Sequence, residues 1–232
     1  MEWNYWHARV WRGKVATAAR AVIPTGFREL DRALPGGGWP LGAITEILVD
    51  GYGIGELGLL MPALAALTKE DPARPKKWVA WIAPPFIPYA PALQQHGVNI
   101  DRLLMIHPTA GVKSRLWAIE QAVRSGSSAA VLAWVTAADD VILRRLQLAA
   151  EEQGCWVLLF RPASARLQRS PAALRVHLSA TAPCVALPRA SLPSSKAAPT
   201  TRVEIVKCRG GRPGVVDVLG VALDGVSQAS RR

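Results

Sequence analysis

The sequence predicts an α/β fold in which a mostly parallel sheet is flanked by helices and followed by an antiparallel C-terminal extension. Up to residue 160, short runs that are apolar throughout alternate with helical segments of about 10 to 15 residues, which is typical of a parallel sheet covered on both faces. After residue 160, strand-like runs follow one another without helices. Strands joined in this way must pair mostly antiparallel.

Turn residues divide the chain into its elements. The first predicted helix covers residues 26–34, with Thr25 as its N-cap, and it ends at the Pro- and Gly-rich segment 35–40. Apolar runs predict five core strands over 43–49, 77–83, 103–106, 129–135 and 155–160. Helices are predicted between them over 56–68, 88–96, 113–124 and 139–153, the last with Gly154 at its C-terminal cap. Late strands are predicted over 174–178, 183–188, 202–208 and 215–223, with a low-complexity loop at 189–201.

Composition limits the class of protein. Half of the 232 residues are hydrophobic and 19% are charged, as in globular chains. No apolar run approaches the roughly 20 residues of a membrane span, and the start of the chain does not resemble a signal peptide. Cys155, Cys184 and Cys208 are isolated, and no histidine lies at metal-ligand spacing. We therefore expect a cytoplasmic protein with no membrane contact, no metal and no cofactor.

The net charge of +11 is unevenly distributed. Residues 1–160 have a balance of +2, whereas residues 161–232 hold 12 basic side chains against three acidic ones, a balance of +9. A neutral body with a basic last third indicates contact with a polyanion. The alternative is a solvated basic tail that aids solubility.

The turn after strand 43–49 lies where a nucleotide-binding α/β protein would place its phosphate loop. That loop needs two glycines, a Lys for the terminal phosphates and a hydroxyl for magnesium. Asp50 stands at the first glycine and Gly55 at the second, while Glu56 and Leu57 replace the Lys and the hydroxyl. Near the carboxyl end of the strand over 129–135, Trp134 stands where an ATPase would hold a magnesium-linked Asp. By elimination, these residues argue against an enzyme.

Four segments, in this order along the chain, resemble the RecA family: residues 25–47, 89–104, 124–126 and 201–207. The resemblance covers about residues 25–220 and implies a RecA-like core. Each departure falls on a catalytic position, namely Glu56, Leu57, Trp134 and the pair Pro84–Pro85, where RecA proteins carry an acidic strand end. This combination, with the Trp-rich start and the segment 207–214, resembles the ImuA family. The related SulA family of cell-division inhibitors shares the same degenerate core.

The resemblance implies a non-catalytic, cytoplasmic factor of the SOS response to DNA damage, in effect a pseudo-ATPase. Its expected partner is an inactive Y-family polymerase homologue, ImuB, which works with an error-prone replicative-type polymerase in translesion synthesis. RecA and single-stranded DNA are further candidate partners. The alternative is a SulA-type inhibitor that binds the division protein FtsZ.

Two groups of residues are candidates for binding. In RecA-like folds the loop after the fifth strand faces single-stranded DNA, and here residues 161–171 contain three arginines and no acid. No aromatic residue lies between them for base stacking, so a basic face for an acidic protein is the alternative. The predicted DNA- or partner-binding residues are Arg161, Arg166, Arg169, Lys207, Arg209 and Arg212.

The N-terminal tryptophans form the second group. Trp3, Trp6 and Trp11 share roughly one helical face and are candidates for docking onto a partner, or for packing on the protein's own body. The predicted organisation is a Trp-rich segment over 1–24, a degenerate RecA-like domain over 25–226 and a flexible tail over 227–232.

Overall fold

The computed structural model describes residues 21–73, 75–109, 111–180 and 200–219. The predicted strand 183–188, nearly all of the loop 189–201, the three N-terminal tryptophans and the tail 227–232 lie outside these ranges.

The described residues form ten strands in two sheets. In chain order they are β1 (Val22–Ile23), β2 (Trp39–Pro40), β3 (Ala43–Val49), β4 (Trp78–Ile82), β5 (Leu103–Ile106), β6 (Ser128–Trp134), β7 (Trp156–Pro162), β8 (Leu174–Ala180), β9 (Thr200–Cys208) and β10 (Gly214–Leu219). β1 and β2 make a small antiparallel pair, and the other eight form one sheet in the order β10-β9-β8-β3-β7-β6-β4-β5. The predicted α/β class, with a mostly parallel sheet and an antiparallel C-terminal part, is confirmed.

The change to antiparallel pairing occurs later in the chain than residue 160. β8 pairs in parallel with β3, so six neighbouring strands from β5 to β8 run in one direction. Among the described strands of this sheet, only the pairs β8–β9 and β9–β10 are antiparallel. The chain returns from the end of β7 to the start of β8 through a 3₁₀ helix over Ala163–Leu167 and an extended segment. This connection is a crossover that contains no α-helix. Because the segment has no helical periodicity, the sequence predicted antiparallel pairing where β8 in fact pairs in parallel.

Within the described ranges, five α-helices cover the sheet: α1 (Arg28–Ala33), α2 (Met61–Thr68), α3 (Ala90–Gln95), α4 (Val112–Arg124) and α5 (Asp140–Gln153). Leu30, Leu64 and Leu93 of the first three helices pack in one hydrophobic core, and Ile119 and Leu146 of α4 and α5 pack in a second. Each core covers one face of the sheet, since strand residues alternate between them. No helix among the described residues is long and apolar enough to cross a membrane.

The helix predicted from residue 26 begins two residues later, and Thr25 is not its N-cap. Phe27 is the N-cap, and it makes no side-chain capping bond. Gly26 has a φ of +87°, and a Cβ there would lie 2.4 Å from Pro62 Cβ; this residue therefore belongs to a tight turn. Thr25 closes that turn, because its Oγ1 accepts a hydrogen bond from the Phe27 N–H at 3.0 Å.

The ends of α5 follow the prediction closely. Asp139 caps its start, where its carboxylate accepts a hydrogen bond from the Ile142 N–H at 2.7 Å. Gly154 ends it in the left-handed conformation, with a φ of +63°. The sequence predicted Gly154 at this cap, whereas it counted Asp139 as the first residue of the helix and not as its N-cap.

Candidate functional site

The loop Asp50–Leu57 leaves the carboxyl end of β3 and leads through a 3₁₀ helix into α2. Its anion-binding position is filled from within the chain. The Glu56 carboxylate turns back and accepts hydrogen bonds from the Gly53 N–H, at 2.9 and 3.0 Å, and from the Ile54 N–H at 2.9 Å. Successive backbone N–H groups of this kind form a nest that in other proteins binds phosphate. Glu56 is 6% exposed, and its carboxylate takes the hydrogen bonds that these N–H groups could otherwise offer to an anion.

Neighbouring side chains hold this loop against the body of the protein. Ile54 and Leu57 pack against the hydrophobic core, so Leu57 anchors the loop in the place where a phosphate loop would present a hydroxyl. Burial, and then the charge of Glu56, raise the pKa of the Tyr52 phenol above its ordinary value. The sequence indicated that Glu56 would repel phosphate, but it did not indicate that Glu56 would occupy the nest.

The strand ends beside the loop carry an aromatic layer. Trp134 of β6 stacks on Phe160 of β7, with ring centroids 4.5 Å apart and planes at 6°. Trp81 of β4 packs on the other side of Trp134 at 5.8 Å. Trp134 is 5% exposed and therefore belongs to the core. Where an ATPase would hold a magnesium-linked carboxylate, this protein has stacked rings.

The end of β4 is shaped by backbone geometry and carries no acid. Ala83 has a φ of +51°, which is strained for a residue with a Cβ. Its N–H donates to the Ile106 carbonyl of β5 at 2.9 Å, and Pro84 and Pro85 follow it. The left-handed backbone of Ala83 therefore turns the chain at the end of β4, and the two prolines follow this turn.

The prediction that Arg161 binds DNA or a partner is wrong, because its side chain is fully buried. The predicted strand ended at Phe160, but β7 continues to Pro162 and turns the side chain of Arg161 onto the face covered by α4 and α5. Its guanidinium donates to the Glu46 carboxylate of β3 at 2.8 Å and to Gln168 Oε1 at 2.7 Å. Arg161 therefore neutralises a buried acid and is not available to a phosphate.

Arg175 of β8 was missed entirely and completes this buried cluster. Its Nε donates to the second Glu46 oxygen at 2.5 Å, and Ser170 Oγ donates to the first at 2.9 Å. Its other nitrogens donate to the carbonyls of Ala165 and Gln168, at 2.7 and 3.1 Å. The cluster fixes the crossover between β7 and β8 over the sheet. A lone Glu within the apolar run 43–49 was the available signal, since a buried carboxylate needs cationic partners.

The other predicted cations are divided by the structure. Arg166 is exposed and makes a bidentate pair with Glu204 at 2.7 and 2.5 Å, which lowers the pKa of that carboxyl group. Arg209 lies 3.6 Å from Glu151 and donates to the Pro171 carbonyl. Arg169 and Arg212 are exposed and have no carboxylate within salt-bridge distance among the described residues. Much of the C-terminal positive charge is therefore balanced inside the molecule.

Arg169 and Lys207 come together at a groove of about 510 Å³ between α5, the 168–171 segment and β9. Lys207 Nζ donates to the Ser170 carbonyl at 2.7 Å. Burial, and then the nearby guanidinium groups of Arg209 and Arg175, lower the pKa of Lys207. The residues that line the groove are Asp140, Arg144, Arg169, Ser170, Pro171, Arg175 and Lys207.

In the part of the chain that the structure describes, no three His, Cys, Asp or Glu side chains gather where they could hold a metal ion. Trp3, Trp6 and Trp11 lie outside that part, so their docking role stays a prediction.

Comparisons with known proteins relate the chain to two named families. Residues 42–157 match the family model described as "Cell division inhibitor SulA". "Protein ImuA" from two strains of Caulobacter vibrioides is 31% identical over 202 residues, which cover 83% of this chain and 81% of the relative. "Cell division inhibitor SulA" from Serratia marcescens is 26% identical over 121 residues, or 52% of this chain and 68% of the relative. The chain belongs to the ImuA family, whose members are related to SulA.

Proposed function

We propose that the protein is a non-catalytic accessory factor of an SOS-induced mutagenesis complex and supports error-prone translesion DNA synthesis. The observation that carries the proposal is the Glu56 carboxylate in the phosphate-loop nest of a chain that belongs to the ImuA family. A phosphate loop filled by its own carboxylate suits a protein that binds partners and does not hydrolyse a nucleotide. In this proposal the core is a degenerate RecA-like domain over 25–226, working in the cytoplasm.

The proposed partner is an ImuB-like homologue of Y-family polymerases, which links the protein indirectly to an error-prone replicative-type polymerase. RecA and single-stranded DNA are further proposed partners. The cations proposed for such contacts are Arg169, Lys207 and Arg212, together with Arg166 and Arg209, which would exchange their present carboxylate partners for those of the ligand. The tryptophans Trp3, Trp6 and Trp11 are the proposed docking group of the N-terminal segment 1–24, and 227–232 is proposed as a flexible tail.

A SulA-type role is the second candidate, in which the protein would bind FtsZ and block cell division. The SulA family model that matches residues 42–157 supports it. The similarity to ImuA is more extensive, since it covers 83% of the chain against 52% for the Serratia SulA. The added coverage favours the mutagenesis role.

Complementation separates the two functions. The gene is expressed in a bacterium that lacks its own ImuA, and the frequency of mutations after ultraviolet damage is counted. We expect it to restore induced mutagenesis and to co-purify with the Y-family homologue. Cells that produce the Serratia SulA serve as the control for division arrest. Filamentous growth with capture of FtsZ, and no restored mutagenesis, would replace the first function by the second.

A further inference from the structure

The groove beside α5 has more positive charge than its own carboxylates balance. Four cations and one acid line it. The acid, Asp140, is already paired with Arg144 at 2.7 Å. Arg175 and Arg161 pair with the same carboxylate, that of the buried Glu46. The charges of Arg169 and Lys207 are therefore left without a carboxylate partner among the described residues.

Exposed aliphatic side chains lie on α5, which forms one side of this groove, and directly before the 168–171 segment, which forms another. Val141, Arg144 and Leu148 are spaced i, i+3 and i+7 along α5, so they share its solvent-facing side. Val141 and Leu148 are 66% and 65% exposed, and Leu167, two residues before Arg169, is 94% exposed. Exposed aliphatic side chains next to unpaired cations are typical of a surface that meets another protein.

The same surface is poorly suited to a nucleic acid strand. None of the residues that line the groove is aromatic, so bases have no ring on which to stack. The carboxylates of Asp140 and Glu151 lie along α5, and Glu204 lies on the neighbouring β9. A continuous phosphate backbone would meet these acids on its way, whereas a side-chain carboxylate needs only the local pair of cations.

We propose that this groove binds an acidic, amphipathic segment of a protein partner, with carboxylates on Arg169 and Lys207 and aliphatic side chains on Val141 and Leu148. The inference rests on the proposed accessory function, because it names the chemistry of the segment that such a partner would present. Lys207 is held in place by the Ser170 carbonyl, and Arg175 is fixed by the Glu46 cluster. The site is therefore largely preformed, which reduces the entropy cost of binding.

The test is fluorescence anisotropy with the full chain and three labelled probes: a short helical peptide rich in Glu and Leu, the same peptide with Gln at every Glu, and oligo(dT). We expect saturable, salt-sensitive binding of the Glu peptide and weaker binding of the other two. Arg169→Gln removes one exposed charge that makes no hydrogen bond or ion pair with another described side chain. It is expected to weaken binding of the Glu peptide about tenfold.

Arg28→Gln is the matched control, because Arg28 of α1 is also exposed and has no carboxylate within salt-bridge distance among the described residues, and it does not line the groove. It is expected to leave the affinity unchanged. The proposal is overturned if the Glu peptide does not bind, if the Gln peptide binds equally well, or if Arg28→Gln weakens binding as much as Arg169→Gln. Tighter binding of oligo(dT), lost in Arg169→Gln, would assign the groove to nucleic acid instead.

The outcome is separable from that of the proposed function. If the peptide fails to bind while the gene still restores induced mutagenesis, the groove proposal falls and the accessory function stands. If the Arg169-dependent peptide binding is observed and mutagenesis is not restored, the groove stands and the accessory function falls.

Discussion

The loop after β3 and the groove beside α5 both present groups that attract an anion. They differ in whether a carboxylate of the chain already pairs with those groups. In the loop, the Glu56 carboxylate accepts the hydrogen bonds of Gly53 and Ile54 and is almost buried. In the groove, Arg169 and Lys207 have no carboxylate partner among the described residues. The anion-binding position of the loop is thus occupied by a carboxylate of the chain itself, while the cations of the groove are open to a ligand from outside. This difference is what the proposed accessory function requires.

A second contrast separates the two acids of this region. Glu46 lies within β3 and is held by two guanidinium groups, whereas Glu56 lies in a loop and is held by backbone N–H groups. One fixes the crossover that forms the floor of the groove, and the other closes the nest. Substitution of each acid tests its part of the comparison.

The largest effect is expected for Glu46→Ala. It leaves Arg161 and Arg175 as unpaired cations in the interior, and breaking a buried pair in this way costs about 3–5 kcal/mol. Urea unfolding of the two proteins measures the difference. Glu70→Ala, which removes an exposed carboxylate, is the control and should unfold like the wild type. A loss below about 1 kcal/mol would show that Glu46 is not the centre of a buried cluster.

Glu56→Ala should come next. It removes the acceptor of the N–H groups of Gly53, which is exposed, and of Ile54, which is half-buried. Because water can take over part of this role, the expected loss is that of an ordinary hydrogen bond, about 1 kcal/mol. Glu56→Gln keeps one carbonyl oxygen and should lose less. The free energy of unfolding is again the quantity compared. Equal stability of Glu56→Ala and the wild type would mean that the carboxylate does not occupy the nest.

Ala83→Gly tests whether the backbone is strained at the end of β4, beside the loop. It relieves a left-handed conformation that costs about 1–2 kcal/mol for a residue with a Cβ, against a glycine entropy cost of about 0.5–1 kcal/mol. We therefore expect the free energy of unfolding to rise by less than about 1 kcal/mol, as measured by thermal denaturation. Ala80→Gly, at an ordinary strand position within β4, should destabilise the protein; a loss in both variants would argue against strain at Ala83.

The smallest effect concerns the exposed pair of Arg166 and Glu204. Because Arg166 lowers the pKa of Glu204 in the folded state, the pair stabilises the protein at pH values above the unfolded pKa of about 4.3. That contribution is lost as the pH falls through the lower, folded value. Urea midpoints of the wild type and Arg166→Gln should therefore differ slightly at neutral pH and converge in acid. A difference that grows in acid would contradict the assigned pairing.

These contacts also explain what the sequence could and could not predict. The core strands and the helices α4 and α5 were predictable, because apolar periodicity and caps such as Gly154 depend on neighbouring residues. Arg161 was predicted to lie in a loop after the strand, but β7 continues for two more residues and buries its side chain. Its partner in the interior is Glu46, which is distant in the sequence. In the same way, the closed nest depends on one side chain turning back onto its own loop.

The occupied loop after β3 is proposed not to bind the phosphates of a nucleotide. Titration of the wild-type protein with a fluorescent ATP analogue and Mg²⁺, followed by anisotropy, tests this directly. We expect no saturable binding at millimolar nucleotide, since the Glu56 carboxylate accepts the hydrogen bonds of the loop and Trp134 stands in place of an acid at the end of β6. Saturable micromolar binding together with magnesium-dependent hydrolysis would contradict the proposal.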